Sequence, residues 1–294
     1  MFLSAFPPSF RNQNKGQALL LVLFVLAVVL TIGLAPLSRS VSDISISQSG
    51  QEPSRAFSAA EAGIEQALIG GSLTGNLGEA QFKAEVASSG QDLTYFLYPE
   101  RIPAGQLINF WLTSHDASGN LSCTNLPCFS GDTLKVCWGE SGTPNNQPAT
   151  PALEIALFHA NGLDFSTVEV NRWTFDPNPG RRSTNNFAAP LGASSCGISG
   201  QNFAFSTNPL GLPAGRRLLL LQATLYYNTT TSHPVAFQEP TATYTFPSQG
   251  QLVTSQGTSG QSSQTIQVFR SFAAPPTIFS SVLAAPSSGS IQKQ

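Results

Sequence analysis

Residues 14–36 read NKGQALLLVLFVLAVVLTIGLAP, and the fate of this stretch (discarded, held in a membrane, or packed among protein) decides the architecture. From Ala18 to Ala35 no charge interrupts it. At 1.5 Å per residue the run makes a helix of about 27 Å, long enough to cross a bilayer. A secretory signal has a shorter apolar region, about 7–15 residues, followed by a small-x-small cleavage site. The nearest such site, Gly33-Leu34-Ala35, stands directly before Pro36, which argues against signal cleavage. Arg11 and Lys15 are the only charges ahead of the run, so the sign of the flanking charge places the N-terminus in the cytoplasm and the residues after Ser38 outside. The expectation is a single-pass cell-membrane protein with an extracellular head.

The composition fits export. Of 294 residues only 10% are charged, below the roughly 25% usual in soluble globular chains. The formal net charge of -2 offers no basic surface for counterion release, so nothing here supports a nucleic-acid partner. Cys123, Cys128, Cys137 and Cys196 all fall in the middle of the chain. In an exported protein four cysteines suggest disulfides, with three possible connectivities; unpaired buried thiols are the second reading. Zinc is the third, and the spacing Cys-x4-Cys-x8-Cys lacks the close pairing of common zinc modules.

The leader MFLSAFPPSFRNQNKG is basic, has no acid and ends at Gly16 before the apolar helix. Farther on, residues 55–65 read RAFSAAEAGIE. Leader, apolar helix and this string, in this order and spacing, resemble the type IV pilin superfamily, specifically PilX-type minor pilins and pseudopilins. The resemblance covers about the first quarter of the chain. It implies that a prepilin peptidase cuts between Gly16 and Gln17 and leaves the helix on the mature protein. It also implies filament assembly with other pilin-like subunits, and the signature positions Arg55, Ala56, Phe57, Ala59, Ala60, Glu61, Ala62, Gly63 and Glu65. Family members commonly carry Phe or Met at the first mature position and glutamate at the fifth; here these are Gln17 and Leu21. Loss of that glutamate is typical of minor or tip subunits.

Residues 37–70 have the makings of an amphipathic helix that continues a rod. Phe57, Ala60, Ile64 and Ala67 with Leu68 recur at three- and four-residue steps and define one apolar face. Pro36, and Gly50 with Pro53, are expected to bend or break the rod. The small residues allow close approach of another backbone, either a sheet of the same chain or a neighbouring subunit.

After Gly70-Gly71 the period changes to two. Phe82, Ala84 and Val86, then Leu134, Val136 and Trp138, then Leu153, Ile155 and Leu157 alternate with other residues, as half-buried antiparallel strands do. Further strands are expected at 93–98, 106–112, 167–175, 216–228 and 265–271. The Gly/Ser/Gln stretch 250–264 reads as a flexible hairpin or a sheet-edge connection. The expected fold class is α+β: a long N-terminal transmembrane and amphipathic helix, then an antiparallel β-rich, sandwich-like head. The expected division is leader 1–16, transmembrane helix 17–36, amphipathic helix 37–70, head 71–285 and flexible tail 286–294.

No catalytic constellation is found. His115, His159 and His233 lack a nucleophile elbow, and no phosphate loop, dinucleotide fingerprint or HExxH occurs. Asp164 and Asp176 fit no calcium-loop pattern, and the pairs Arg181-Arg182 and Arg216-Arg217 suit a solvated turn or an acidic partner. The expectations are therefore no enzyme, no cofactor and no metal, with membrane lipid, prepilin peptidase and pilin-like subunits as partners and the head's ligand open. The rival readings are an uncleaved, membrane-anchored adhesin and a surface hydrolase.

Overall fold

The computed structural model describes residues 17–116, 118–192, 196–198 and 200–275, and for residues 17, 18 and 31–49 the backbone alone. The leader 1–16, with Gly16, and the tail 286–294 lie outside the described residues.

Helix α1 runs Gln17–Gly70. Pro36, Gly50 and Pro53 lie inside it without ending it, so the expected breaks are absent. One proline removes one backbone donor, while the flanking turns still close their own hydrogen bonds. After α1 come fourteen strands among the described residues, and these set the fold class. The expectation of an α+β chain led by a transmembrane rod is corrected here: the chain is mostly antiparallel β, and no described helix is long and apolar enough to cross a membrane. The single-pass placement, with a cytoplasmic N-terminus and an anchored extracellular head, is withdrawn for the same reason.

The chain divides into two compact units. The first holds residues up to Ala84 together with Ser255–Ile266. It contains α1, β1 (Leu73–Leu77), the start of β2 (Ala80–Ser89), and parts of β13 (Gly250–Ser259) and β14 (Ser262–Ser271). These strands form one sheet in the order β1-β2-β13-β14. The stretch read as a Gly/Ser/Gln hairpin or edge connection is thus a hairpin of two long strands. Along β2 burial alternates strictly: Ala80, Phe82 and Ala84 face inward and Gln81, Lys83 and Glu85 outward. Ala59, Ala80 and Phe82 form a small core, with Ala62 and Leu73 against it.

The second unit holds Glu85–Thr254 and the residues from Gln267 on. One of its sheets has the order β3-β12-β5-β9-β8 (Tyr95–Leu97, Val235–Gln238, Thr133–Glu140, Gln201–Ser206, Gly197–Ile198), with β10 (Leu210–Gly211) also on β5. The other has the order β4-β11-β6-β7 (Leu107–Trp111, Arg217–Tyr226, Ala152–Asn161, Asp164–Phe175). Their inner faces share one core: Phe110, Ile155, Leu157 and Leu221 come from one sheet and Val136, Trp138, Val235 and Phe237 from the other. Phe110 stacks on Phe237 at 4.1 Å and meets Phe246 edge-on. Alternation sends Cys137 to the opposite face of β5, where it bonds Cys196 beside Phe203 and Ala236. Cys123 bonds Cys128, so one of the three connectivities is selected. A short helix, α2 (Pro179–Asn185), is capped by the Asn178 side chain and has proline at its start.

Candidate assembly surface

The signature string at residues 55–65 is divided between two sides of α1. Ala56, Ala59, Ala60, Gly63, Ile64 and Ala67 are buried, and at 100° per residue they share an arc of roughly 140°. This seam meets β2 and β13 at backbone distance. A Cβ added at Gly257 would touch the Ala56 carbonyl oxygen and lie 2.5 Å from the Ala60 nitrogen. Those two atoms are the acceptor and donor of one helical turn, so the strand rests directly on a helix hydrogen bond. A Cβ at Gly63 would in turn meet Ser255 Oγ and lie 2.8 Å from Phe82 Cδ2. Ser255 is fully buried and its hydroxyl has no hydrogen-bond partner. Of the two partners the sequence allowed for the small residues, the sheet of the same chain occupies this face.

Polar contacts fix the helix along the seam. Arg55 donates to Glu79 and to Gln51, each at 3.2 Å, and Glu52 accepts the Gln261 N–H at 3.1 Å at the β13–β14 turn. The Arg55–Glu79 pair is largely solvated and contributes no more than about 0–1 kcal/mol. It orients the helix without adding much stability.

The other side of α1 is exposed among the described residues. Phe57 is 46% exposed, so it lies off the seam although its spacing suggested otherwise. Glu61 and Glu65 are exposed beside it, and Ile69 is 93% exposed. In the N-terminal half, Leu19 through Leu26, Val28, Val29 and Leu30 are exposed on every side, with Leu21 at 65%. Gln17 begins the helix.

The polar residues of the second unit are committed to structure. Fully buried Asp176 accepts from Arg181 at 2.7 and 3.0 Å, from Asn185 at 2.7 Å and from the Asn178 N–H at 2.9 Å. Arg181 also donates to the carbonyls of Pro148 and Thr150 and lies 4.0 Å over the Tyr227 ring. Arg216 pairs with Glu169. Arg181 and Arg216 are thus each paired within the chain. His233 accepts the Glu140 N–H through Nδ1, and burial holds its pKa below the usual imidazole range. His159 bonds Asn171 and Arg216. His115 is stacked on Phe272, and burial lowers its pKa as well. Asp164 binds its own turn at Ser166. The three histidines stand apart, and among the described residues no three His, Cys, Asp or Glu groups gather as a metal site.

Sequence reasoning missed Gly257, Ser255 and Phe82 as the other half of the seam. The signal available was a glycine at alternating spacing inside a Ser/Thr/Gln strand, where a neighbouring backbone approaches closely. No protein family, no curated protein and no solved structure matches the chain.

Proposed function

We propose that the chain is a minor-pilin-like subunit of a type IV pilus or related filament, held in the assembly by the N-terminal half of α1. The observation that carries this reading is the exposed apolar helix: among the described residues, eleven large side chains between Leu19 and Leu30 are 38–71% exposed. A monomer rarely leaves such a continuous patch open. Burying half of it among other helices would supply on the order of 10 kcal/mol gross, before the cost of association. Two further features support the reading. The RAFSAAEAGIE string lies at the junction where the open helix becomes one packed on a sheet, and its small residues make that packing possible. Assembly is the whole of the proposed activity. A membrane-anchored stage is not part of it.

Leu21 lets neighbouring helices close without a buried charge. The test is sedimentation and electron microscopy of the purified chain beside Leu21→Arg and Val25→Arg, together with mass spectrometry of the mature N-terminus. The expected result is large assemblies from the wild type, dispersal of both variants with unchanged head melting, and a chain beginning at Gln17. A wild-type chain that stays monomeric, or arginine variants that assemble equally well, would overturn the proposal.

A further inference from the structure

Among the described residues the sheet of the first unit ends in two unpaired edges, β1 on one side and β14 on the other. Within that unit each edge is five residues long, Leu73–Leu77 and Ser262–Ile266. Neither segment contains a charge or a proline. Natural edge strands are usually blunted by lysine, proline or a covering segment, and a bare edge is a template for another strand. Both segments are solvent-accessible, and Leu77 is 46% exposed.

Strand direction fixes what fits. β1 is antiparallel to β2. Gln249 donates to the Ser89 carbonyl and Phe246 to the Leu93 carbonyl, so β13 runs opposite to β2. The turn at Gly260, with its positive φ, reverses the chain into β14. Four strands that alternate leave β14 running opposite to β1. A second copy set edge to edge therefore continues the antiparallel order without inversion.

We infer that β1 of one copy pairs with β14 of the next, head to tail. This rests on the filament reading and deepens it, because a heterologous contact that does not close on itself generates an open filament. The occupant is a second copy of this chain: within the first unit its own opposite edge is likewise uncharged and runs in the direction that continues the antiparallel order. Thr74 and Asn76 on β1, and Ser263 and Thr265 on β14, are exposed and mark the polar side of each edge. Each lies out of phase with the inward residues Leu73 and Ile266 of its own strand.

The test is cysteine cross-linking in assemblies of the full chain, whose four native cysteines are all in disulfides. Asn76→Cys combined with Ser263→Cys, and Thr74→Cys combined with Thr265→Cys, are pelleted and oxidised beside each single variant. The expected result is a ladder at multiples of the chain mass from at least one double variant and only monomer from the singles. A pellet without a ladder overturns the edge pairing while leaving the filament reading intact. Single variants that form dimers overturn it in favour of symmetric edges. A wild-type chain that does not pellet removes the filament reading and this pairing with it.

Discussion

Gly257→Ala tests whether the helix and sheet of the first unit are held at backbone contact. The added methyl would press on the Ala56 carbonyl and stand 2.5 Å from the Ala60 nitrogen and 3.0 Å from the Ala56 carbonyl carbon. Ordinary contact needs about 3.5 Å or more, so β13 must retreat by roughly 1 Å. Overpacking of this kind costs about 1–3 kcal/mol. The upper half of the range applies because both opposing atoms are main chain and cannot rotate away. Replacing a strand glycine returns up to about 1 kcal/mol in backbone entropy, which is too little to change the sign. Trp111, Trp138 and Trp173 all lie in the second unit, so tryptophan fluorescence reports on the wrong part of the molecule. Amide hydrogen exchange over residues 56–67 reads the seam directly. A net loss of about 2 kcal/mol lowers protection there roughly 30-fold. Gly50→Ala is the control: nothing lies within 4 Å of its added methyl, and helix propensity raises stability by about 1 kcal/mol. Protection in Gly257→Ala that matches wild type would show that the helix does not rest on the strand.

Gly63→Ala sets a gain of about 1 kcal/mol in helix propensity against collision with Ser255 Oγ and the Phe82 ring. It is expected to destabilise alone and to be rescued in part by Ser255→Ala, with a coupling of about 1 kcal/mol in a double-mutant cycle. The Cys137–Cys196 bond spans 59 residues and Cys123–Cys128 spans 5. Loop-closure entropy makes their removal cost about 4 and about 2 kcal/mol, so chemical unfolding of alanine pairs should rank them in that order. Asp176→Ala leaves the Arg181 guanidinium without its carboxylate and should cost about 3–5 kcal/mol in the tryptophan-monitored melt of the second unit. In the pH dependence of that melt, burial favours neutral His233, so its contribution is full above the unfolded imidazole value near 6.5 and is lost as pH falls below it toward the lowered folded value. His233→Asn should flatten that slope. Burial alone would raise the Glu239 carboxyl, but donors from Thr241, Thr243 and Tyr244 outweigh it and hold the pKa low. Its contribution is therefore kept above the unfolded carboxyl value and lost as pH falls through the folded one, a step absent from Glu239→Gln.

The parts legible in the sequence are those whose cause is local. Alternation at Phe82 and Ala84, at Val136 and Trp138, and at Ile155 and Leu157 places β2, β5 and β6 correctly, because a half-buried strand writes its period into adjacent residues. The short strands β9, β10 and β12 have too few residues to show a period, and they take their place from neighbours distant in the chain. Helix α2 was recoverable from Asn178 followed by Pro179, a capping residue and a helix-starting proline. The disulfide pairing was not recoverable, because it depends on Cys137 facing away from the main core and toward Cys196. The transmembrane reading counted apolar residues over 18–35, whereas no described helix is long and apolar enough to cross a membrane.

The string RAFSAAEAGIE shows why a motif is more informative once its residues are sorted by face. Packing on the sheet accounts for Ala56, Ala59, Ala60, Gly63 and Ile64, since each larger side chain would hold β13 farther away. The same packing gives no reason for Phe57, which leaves nearly half its surface in water, or for Glu61 and Glu65, which add like charge one turn apart. A helix needed only to support a sheet would be as stable with serine or lysine at those positions. On the proposed filament reading these three residues face a neighbouring subunit, as do the leucines and valines from Leu19 to Leu30. The two sets lie on one continuous helix, so a neighbour that covers the apolar half is placed to meet Phe57 as well. The seam and the exposed face then differ in duty: the first holds the helix to the sheet of its own unit, and the second, on the proposed reading, is the face a neighbouring subunit covers.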